Sequence, residues 1–409
     1  MKVLMITPYV TINSRSEFAR NKTGFGYMVM DIAKAVGEQD KVFVLATDSR
    51  GRAFEYEGTR FLERSLLKYL CSIIYGLPFF SLIKLRKDYK MRKDTFIRLV
   101  YYGLATGYLK RIINKEKYDI VHIHGCGFAT ELWMQVCNKC GQKYVVTLHG
   151  FNSFSDTVNI ELAGKKYERD FLKRVTNGDI PITVISTGMK KLLEKTYNTG
   201  DLKNIYVVCN SFSFYQENVN THIRPLYHIP CNASVLLYVG NISWNKNQAQ
   251  MVRVFSQLPE TMRKRTYVLF CGKDTIGNGE MKRLISSCPD GNHLFLCGDV
   301  DKSMIQTYYR DADGVVLLSF TEGFGLSLVE GMHFGLPCVM PNDLDAFEDI
   351  YNECAVVPIY GREDNEVRKA IEKLLDTKWD IETIKEYSSK FDSRTMANKY
   401  REVYKAIIK

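Results

Sequence analysis

The chain has 409 residues, 45% hydrophobic and 25% charged, a balance that excludes disorder, a collagen repeat and a disulfide-stapled miniature. At ~150 residues per domain it implies two or three domains. The net charge is +10, and no apolar run reaches the ~18–20 residues that a membrane-crossing helix needs.

The first segment, Lys2–Thr7, is a continuous apolar run stopped by Pro8. It reads as a parallel strand buried on both faces, not as the apolar core of a signal peptide. Lys41–Ala46, Ile120–His124, Tyr144–Leu148, Ile182–Ile185 and Ile205–Cys209 read the same way. Helix-period segments such as Phe25–Val36 and Met189–Tyr197 lie between most of them. This alternation predicts an α/β doubly wound sheet. After the first strand comes Asn21-Lys22-Thr23-Gly24-Phe25-Gly26-Tyr27. It lacks the third glycine and the close strand of a nicotinamide site, which is therefore not expected.

Between Phe61 and Lys117 there are 13 Lys and Arg against 4 Asp and Glu, with ten Phe and Tyr. Nearly all the excess charge sits there. Tyr69–Ile83 carries no charge but is broken by Gly76 and Pro78, and the basic run Lys84–Lys93 follows. Such a segment suits the surface of an anionic membrane, where each basic residue contributes about 1 kcal/mol. The alternative is a solvated helix beside a buried one. No nucleic-acid module signature appears, so nucleic acid is not expected as a partner.

His122, His124 and His149 lie at strand ends that run into Gly125 and Gly150. His122 lies deeper and reads as a core histidine, whereas His124 and His149 are placed for a ligand. Cys137 and Cys140 form the one Cys-x-x-Cys, without a second pair at zinc spacing, and read as residues near a helix end. Eleven scattered cysteines suit a reducing compartment, so a cytoplasmic protein is expected, in reach of the membrane's inner face.

Ser211–Asn232 has two prolines and no period, and reads as a linker between a domain at 1–210 and another at 233–389. The strand pattern then restarts with Val235–Val239, Tyr267–Cys271, Leu294–Cys297, Val315–Leu318, Cys338–Met340 and Ala355–Pro358. Trp379–Lys409 reads as helices, with Tyr400, Val403, Tyr404 and Ile407 on one face.

The most informative segment follows Val315–Leu318: a turn with Glu322, Gly323, Phe324 and Gly325, then a helix from about Leu326 with Glu330 two turns along. In a doubly wound sheet ligands bind at the carboxyl ends of the strands. A glycine turn and a helix N-terminus there suit a diphosphate, and two carboxylates suit sugar hydroxyls. This segment resembles the retaining glycosyltransferases of the E-x7-E type with the GT-B fold, a family that includes sucrose synthases and many bacterial sugar transferases. The resemblance implies that Glu322 contacts the donor sugar, that Glu330 binds the nucleotide ribose, and that the Phe324-Gly325-Leu326 backbone holds the diphosphate. It continues through Gly335-Leu336-Pro337-Cys338-Val339.

Leu236–Gln248 is similar to a second family motif, with Gly240 at the strand end and Lys246 as a diphosphate ligand. Asn241 stands where the family usually carries arginine, and offers no charged fork. Asn21–Tyr27 is similar to the family's glycine-rich loop, which puts Gly24, Phe25, Gly26 and His124 on the acceptor side and His149 at the donor–acceptor junction.

The implied protein has two Rossmann-like domains facing across a cleft, with the C-terminal helix, about 390–409, packing back on the first. It moves a sugar from a nucleotide-sugar to a saccharide or lipid-linked saccharide in surface polysaccharide or glycolipid assembly, with Glu322, Lys246 and His149 as the catalytic set. No cofactor or required metal is implied, although Asp311-Ala312-Asp313 and Asp343-Leu344-Asp345 mimic a metal motif of another transferase fold. The latter replaces the family's Gly-Gly turn. A nucleotide-sugar epimerase of the same fold, a phosphorylase and a non-catalytic nucleotide-sugar-binding protein are the rival readings.

Overall fold

The computed structural model describes residues 1–18, 23–76, 78–154, 161–212 and 221–409. Asn21 and Lys22 of the glycine-rich loop, Leu77 of the uncharged stretch and residues 213–220 of the expected linker lie outside the described residues. The chain forms two compact units, Met1–Asn210 with Ser393–Lys409, and Ser211–Asp392. Both are Rossmann-like α/β domains.

The sheet of the first unit contains β1 (Lys2–Thr7), β2 (Lys41–Ala46), β3 (Phe54–Tyr56), β4 (Thr59–Phe61), β5 (Ile120–His124), β6 (Tyr144–Leu148), β7 (Ile182–Val184) and β8 (Ile205–Val207). Their order is β3-β4-β2-β1-β5-β6-β7-β8. All pairs are parallel except the β3–β4 hairpin. Val3, Leu4, Met5 and Ile6 of β1 are fully buried, which explains the unbroken apolar run. The strand order reverses at β1, so the crevice outside β1 and β5 is where this topology admits a ligand.

The second unit has β9 (Ser234–Val239), β10 (Thr266–Cys271), β11 (Leu294–Gly298), β12 (Gly314–Val316), β13 (Cys338–Pro341) and β14 (Val356–Ile359). Its order is β11-β10-β9-β12-β13-β14, every pair is parallel, and the reversal falls at β9 beside β12. The expected linker is in part built into this unit. Ile223–Leu226 is a short helix, held by Asp311 accepting from Ile223 N at 2.8 Å and by Asp313 pairing with Arg224 at 2.8 Å.

Two helical features of the first unit matter below. The final helix, Ser393–Ile408, packs on the helix Gly24–Gly37. It inserts Arg401 onto Asp40, at 2.7 Å, and Tyr404 onto His122 Nδ1, also at 2.7 Å. Elsewhere, Lys93–Glu116 is a single long helix, and Leu66–Cys71 and Phe79–Asp88 pack against it. Two glycines four residues apart seat them. A Cβ at Gly107 would stand 2.1 Å from the Ser72 carbonyl oxygen, and one at Gly103 would stand 3.0 Å from Leu82 Cδ1. No larger residue permits that approach.

Candidate functional site

In the second unit the chain leaves β9 at Gly240 and β12 near Ser319, side by side at the point where the strand order reverses. Lys246 Nζ pairs there with Glu322 Oε2, and Ser319 Oγ donates to the same oxygen at 3.3 Å. The lysine stem crosses Gly240, where a Cβ would stand 3.3 Å from Lys246 Cε. The side chains of Lys246 and Glu322 keep 23% and 21% of their exposure. A partly exposed pair of this kind adds only about 1 kcal/mol to stability.

Buried and half-buried polar residues hold this pair in place. Tyr238, fully buried, accepts from Leu318 N at 2.8 Å and donates to the Lys246 carbonyl. Asn245 ties the two loops together: its Oδ1 accepts from Thr321 N at 3.2 Å and Oγ1 at 2.7 Å, and its carbonyl accepts from Phe320 N at 2.8 Å. Gln248, 1% exposed, donates to the carbonyls of Gly240 and Asn241. Asn241 is itself engaged, since its Oδ1 accepts from Lys273 N at 3.2 Å. Sequence reasoning missed Tyr238, Asn245 and Gln248 as positioning groups.

The turn after Glu322 leads into the helix Leu326–His333. Gly325 precedes it at φ +90°, a left-handed conformation natural only to glycine. The Phe324 side chain is 2% exposed and packs edge-on against Phe391 at 5.7 Å. Glu330 lies on the helix and accepts from the buried Tyr309 hydroxyl at 2.8 Å, another partner the sequence does not announce. The two Asp-x-Asp pairs hold structure: Asp311 and Asp313 fix residues 223–235, and Asp343 pairs with Arg362. Burial raises the Asp345 carboxyl to about 6. Among the described residues no group of three or more His, Cys, Asp or Glu is placed to hold a metal.

The first unit has its own candidate site at the carboxyl ends of β1, β5 and β6. A cavity of about 530 Å³ is lined by Tyr9, Phe25, Arg98, Tyr102, His124 and His149, among others. Phe25 meets His149 edge-on at 5.0 Å. Gly24 and Gly26 are not among its walls. Gly26 is demanded by packing, because a Cβ would fall 2.2 Å from Thr11 Oγ1, while a Cβ at Gly24 would meet nothing. His124 Nδ1 lies 3.2 Å from His149 Nε2, and the fully buried His124 ring leaves Nε2 without a protein partner. His122 is a core residue between Tyr404 and Thr147. Cys137 is buried in the helix Phe128–Lys139, and Cys140 caps its end.

Burial holds His149 down to about 4 and, reinforced by His149, holds His122 down to about 3. His124 lies well below its ordinary value for the same reason. All three are neutral at pH 7. The unfolded chain takes up these protons near pH ~6.5, but the folded chain does so only at lower pH. The unfolded state therefore binds more protons between these values, and stability present above pH ~6.5 is lost as pH falls toward 4. The melting temperature is expected to drop over this range, less steeply in His122→Gln. Parallel curves for the two proteins would contradict this account.

Residues 23–212 match the family model described as Glycosyltransferase Family 4, and residues 221–391 match the one described as Glycosyl transferases group 1. An uncharacterized glycosyltransferase of Methanocaldococcus jannaschii is 21% identical over 64% of this chain and 68% of its own. The processive diacylglycerol alpha-glucosyltransferase of Acholeplasma laidlawii is 23% identical over 64% of this chain and 76% of its own. Among solved structures, sucrose-phosphate synthase from Thermosynechococcus elongatus superposes with a TM-score of 0.66 at 15% identity, covering 100% of this chain and 95% of that one. HepE of Anabaena in complex with UDP and glucose gives a TM-score of 0.67 at 14% identity, covering 99% and 100%.

Proposed function

The chain belongs to the GT-B glycosyltransferases, and from that premise we propose that it transfers a sugar, with retention at the anomeric carbon, from a nucleotide-sugar held by the second unit to a saccharide or lipid-linked saccharide received by the first. The observation that carries the reading is the partly exposed Lys246–Glu322 pair at the junction of β9 and β12, with Glu322 directly before the glycine turn and the helix Leu326–His333. The donor diphosphate lies against the Lys246 ammonium and the Phe324–Leu326 amides, aided by the positive end of the helix. Glu330 takes the ribose and Glu322 the donor sugar, which releases Lys246 to the phosphate.

As the bond between the anomeric carbon and the phosphate oxygen breaks, charge grows on the leaving diphosphate, where the cation and amides stabilise it more than they stabilise the ground state. The acceptor oxygen bonds to the same face of the anomeric carbon and passes its proton to the departing phosphate oxygen. No covalent glycosyl-enzyme and no metal are needed in this scheme. Neutral His149 and the unpartnered Nε2 of His124 suit a hydroxyl of the acceptor, as hydrogen-bonding groups without charge. The likeness to a diacylglycerol glucosyltransferase of Acholeplasma laidlawii supports a role in glycolipid or surface polysaccharide assembly.

A thermal-shift panel of UDP-, GDP- and ADP-sugars tests the donor assignment, since a ligand bound only by the folded state raises the melting temperature. One nucleotide class is expected to shift the wild type and to shift Glu330→Ala less. A wild type indifferent to all three at millimolar ligand would sink the assignment. NMR of the product anomer tests retention, and conversion of the nucleotide-sugar without any acceptor would favour the epimerase instead.

A further inference from the structure

We propose that the helical lobe formed by Leu66–Tyr75 and Phe79–Asp88 is a foot that docks the first unit on an anionic membrane surface, a property that goes beyond the transfer chemistry and does not depend on it. The lobe displays large apolar side chains to solvent: Leu67 is 70% exposed, Ile74 84%, Phe79 57% and Phe80 86%. Isolated exposed apolar residues are ordinary, but a cluster within one lobe marks an interaction surface. A loosely packed tail does not explain it. The opposite side of the same lobe, with Tyr69, Ser72 and Leu82, is buried, and Gly103 and Gly107 let it seat closely on the helix Lys93–Glu116. The apolar side chains are held outward by a built support.

Charge selects the occupant. Lys84, Arg86, Lys87 and Lys90 are exposed, and among the described residues no carboxylate forms an ion pair with them. They follow the apolar turn of Phe79 and Phe80 along the chain, the arrangement of an interfacial segment whose apolar side enters the bilayer while cations meet head groups. A second copy of the chain fits poorly, because self-association through this face would oppose two sets of unpaired cations. An anionic lipid layer satisfies both the apolar and the cationic residues. Among the described residues no single helix is long and apolar enough to cross a membrane, although Leu66–Tyr75 and Phe79–Asp88, bent by 104°, are so by length and composition as a pair. Tyr69, Ser72, Leu82 and Leu85 of that pair are buried inside the first unit, so the contact proposed is peripheral. The supporting helix also presents Leu99 and Tyr102 to the cavity of His124 and His149. The docked lobe and the proposed acceptor cavity thus share one rigid element.

The test is co-sedimentation of the full chain with phosphatidylcholine vesicles, with and without phosphatidylglycerol, at low and high salt. Phosphatidylglycerol is expected to raise partitioning at least about tenfold at low salt, with the gain reduced at high salt. Ile74→Glu with Phe80→Glu, and separately Lys84→Glu with Lys87→Glu, are expected to lower it at least about tenfold while leaving the melting temperature and any donor-induced shift unchanged. Equal partitioning of wild type and variants, or no binding of the wild type at low salt, would overturn the proposal. So would self-association in ultracentrifugation that Phe80→Glu abolishes, which would assign the face to a second copy. Vesicle binding by a protein that shows no donor shift leaves the foot standing and removes the donor assignment alone.

Discussion

Exchanging Lys246 for alanine should lower kcat/KM for sugar transfer by about 10²–10³-fold, the range found when a single preorganised group at a developing negative charge is removed. Lys246 is the cation placed at the β9–β12 junction, paired with Glu322 and fixed through its backbone by Tyr238 and through its stem by Gly240. Because the pair keeps about a fifth of its exposure, the melting temperature should move by little more than a surface ion pair warrants. Lys246→Met keeps most of the stem and should be nearly as impaired, which assigns the effect to charge and not to packing. Wild-type kcat/KM in Lys246→Ala would remove the lysine from the mechanism.

A comparable free energy is expected in stability when Arg401 is replaced by alanine. Arg401 is 8% exposed. It donates to Asp40 at 2.7 Å, to Asn398 at 2.9 Å and to the Val36 carbonyl at 3.2 Å. The Met1 ammonium stays on Asp40 at 2.6 Å, so the loss is that of buried hydrogen bonds to a charged group, about 2–3 kcal/mol, still a sizeable part of a typical domain's ~5–15 kcal/mol. Urea unfolding should therefore show the first unit melting early while the second, followed by its response to donor, keeps its midpoint. An unchanged midpoint for the first unit would refute the assignment.

Most strands of both units were legible because they are buried on both faces and so spelled as unbroken apolar runs, as in β1, β9 and β13. The β3–β4 hairpin was not. Its strands have only three residues each, and its signal is the Glu57-Gly58 turn with both residues at positive φ. Lys246, Glu322 and Glu330 could be found because glycines and strand ends mark them locally. Tyr238, Asn245 and Tyr309 could not, since their partners lie elsewhere in the chain and only the fold brings them near. The helical lobe was read from charge and apolar content as a surface segment. What this reading overlooked is Gly103-Leu104-Ala105-Thr106-Gly107, a spacing that announces close helix contact and explains why the lobe is seated at all.

The division of the chain, with Ser393–Lys409 returning to Met1–Asn210 across the whole of Ser211–Asp392, sets an order of events during synthesis. At about 5–20 residues per second, the ribosome needs on the order of 10–40 s to make the intervening unit. Throughout that interval the first unit waits with Asp40 and His122 lacking Arg401 and Tyr404, and with the apolar face of the helix Gly24–Gly37 uncovered. The second unit, continuous in sequence, can complete its core in the meantime. The half of the enzyme made first is therefore the half finished last, and nascent-chain chaperones have the most to protect there.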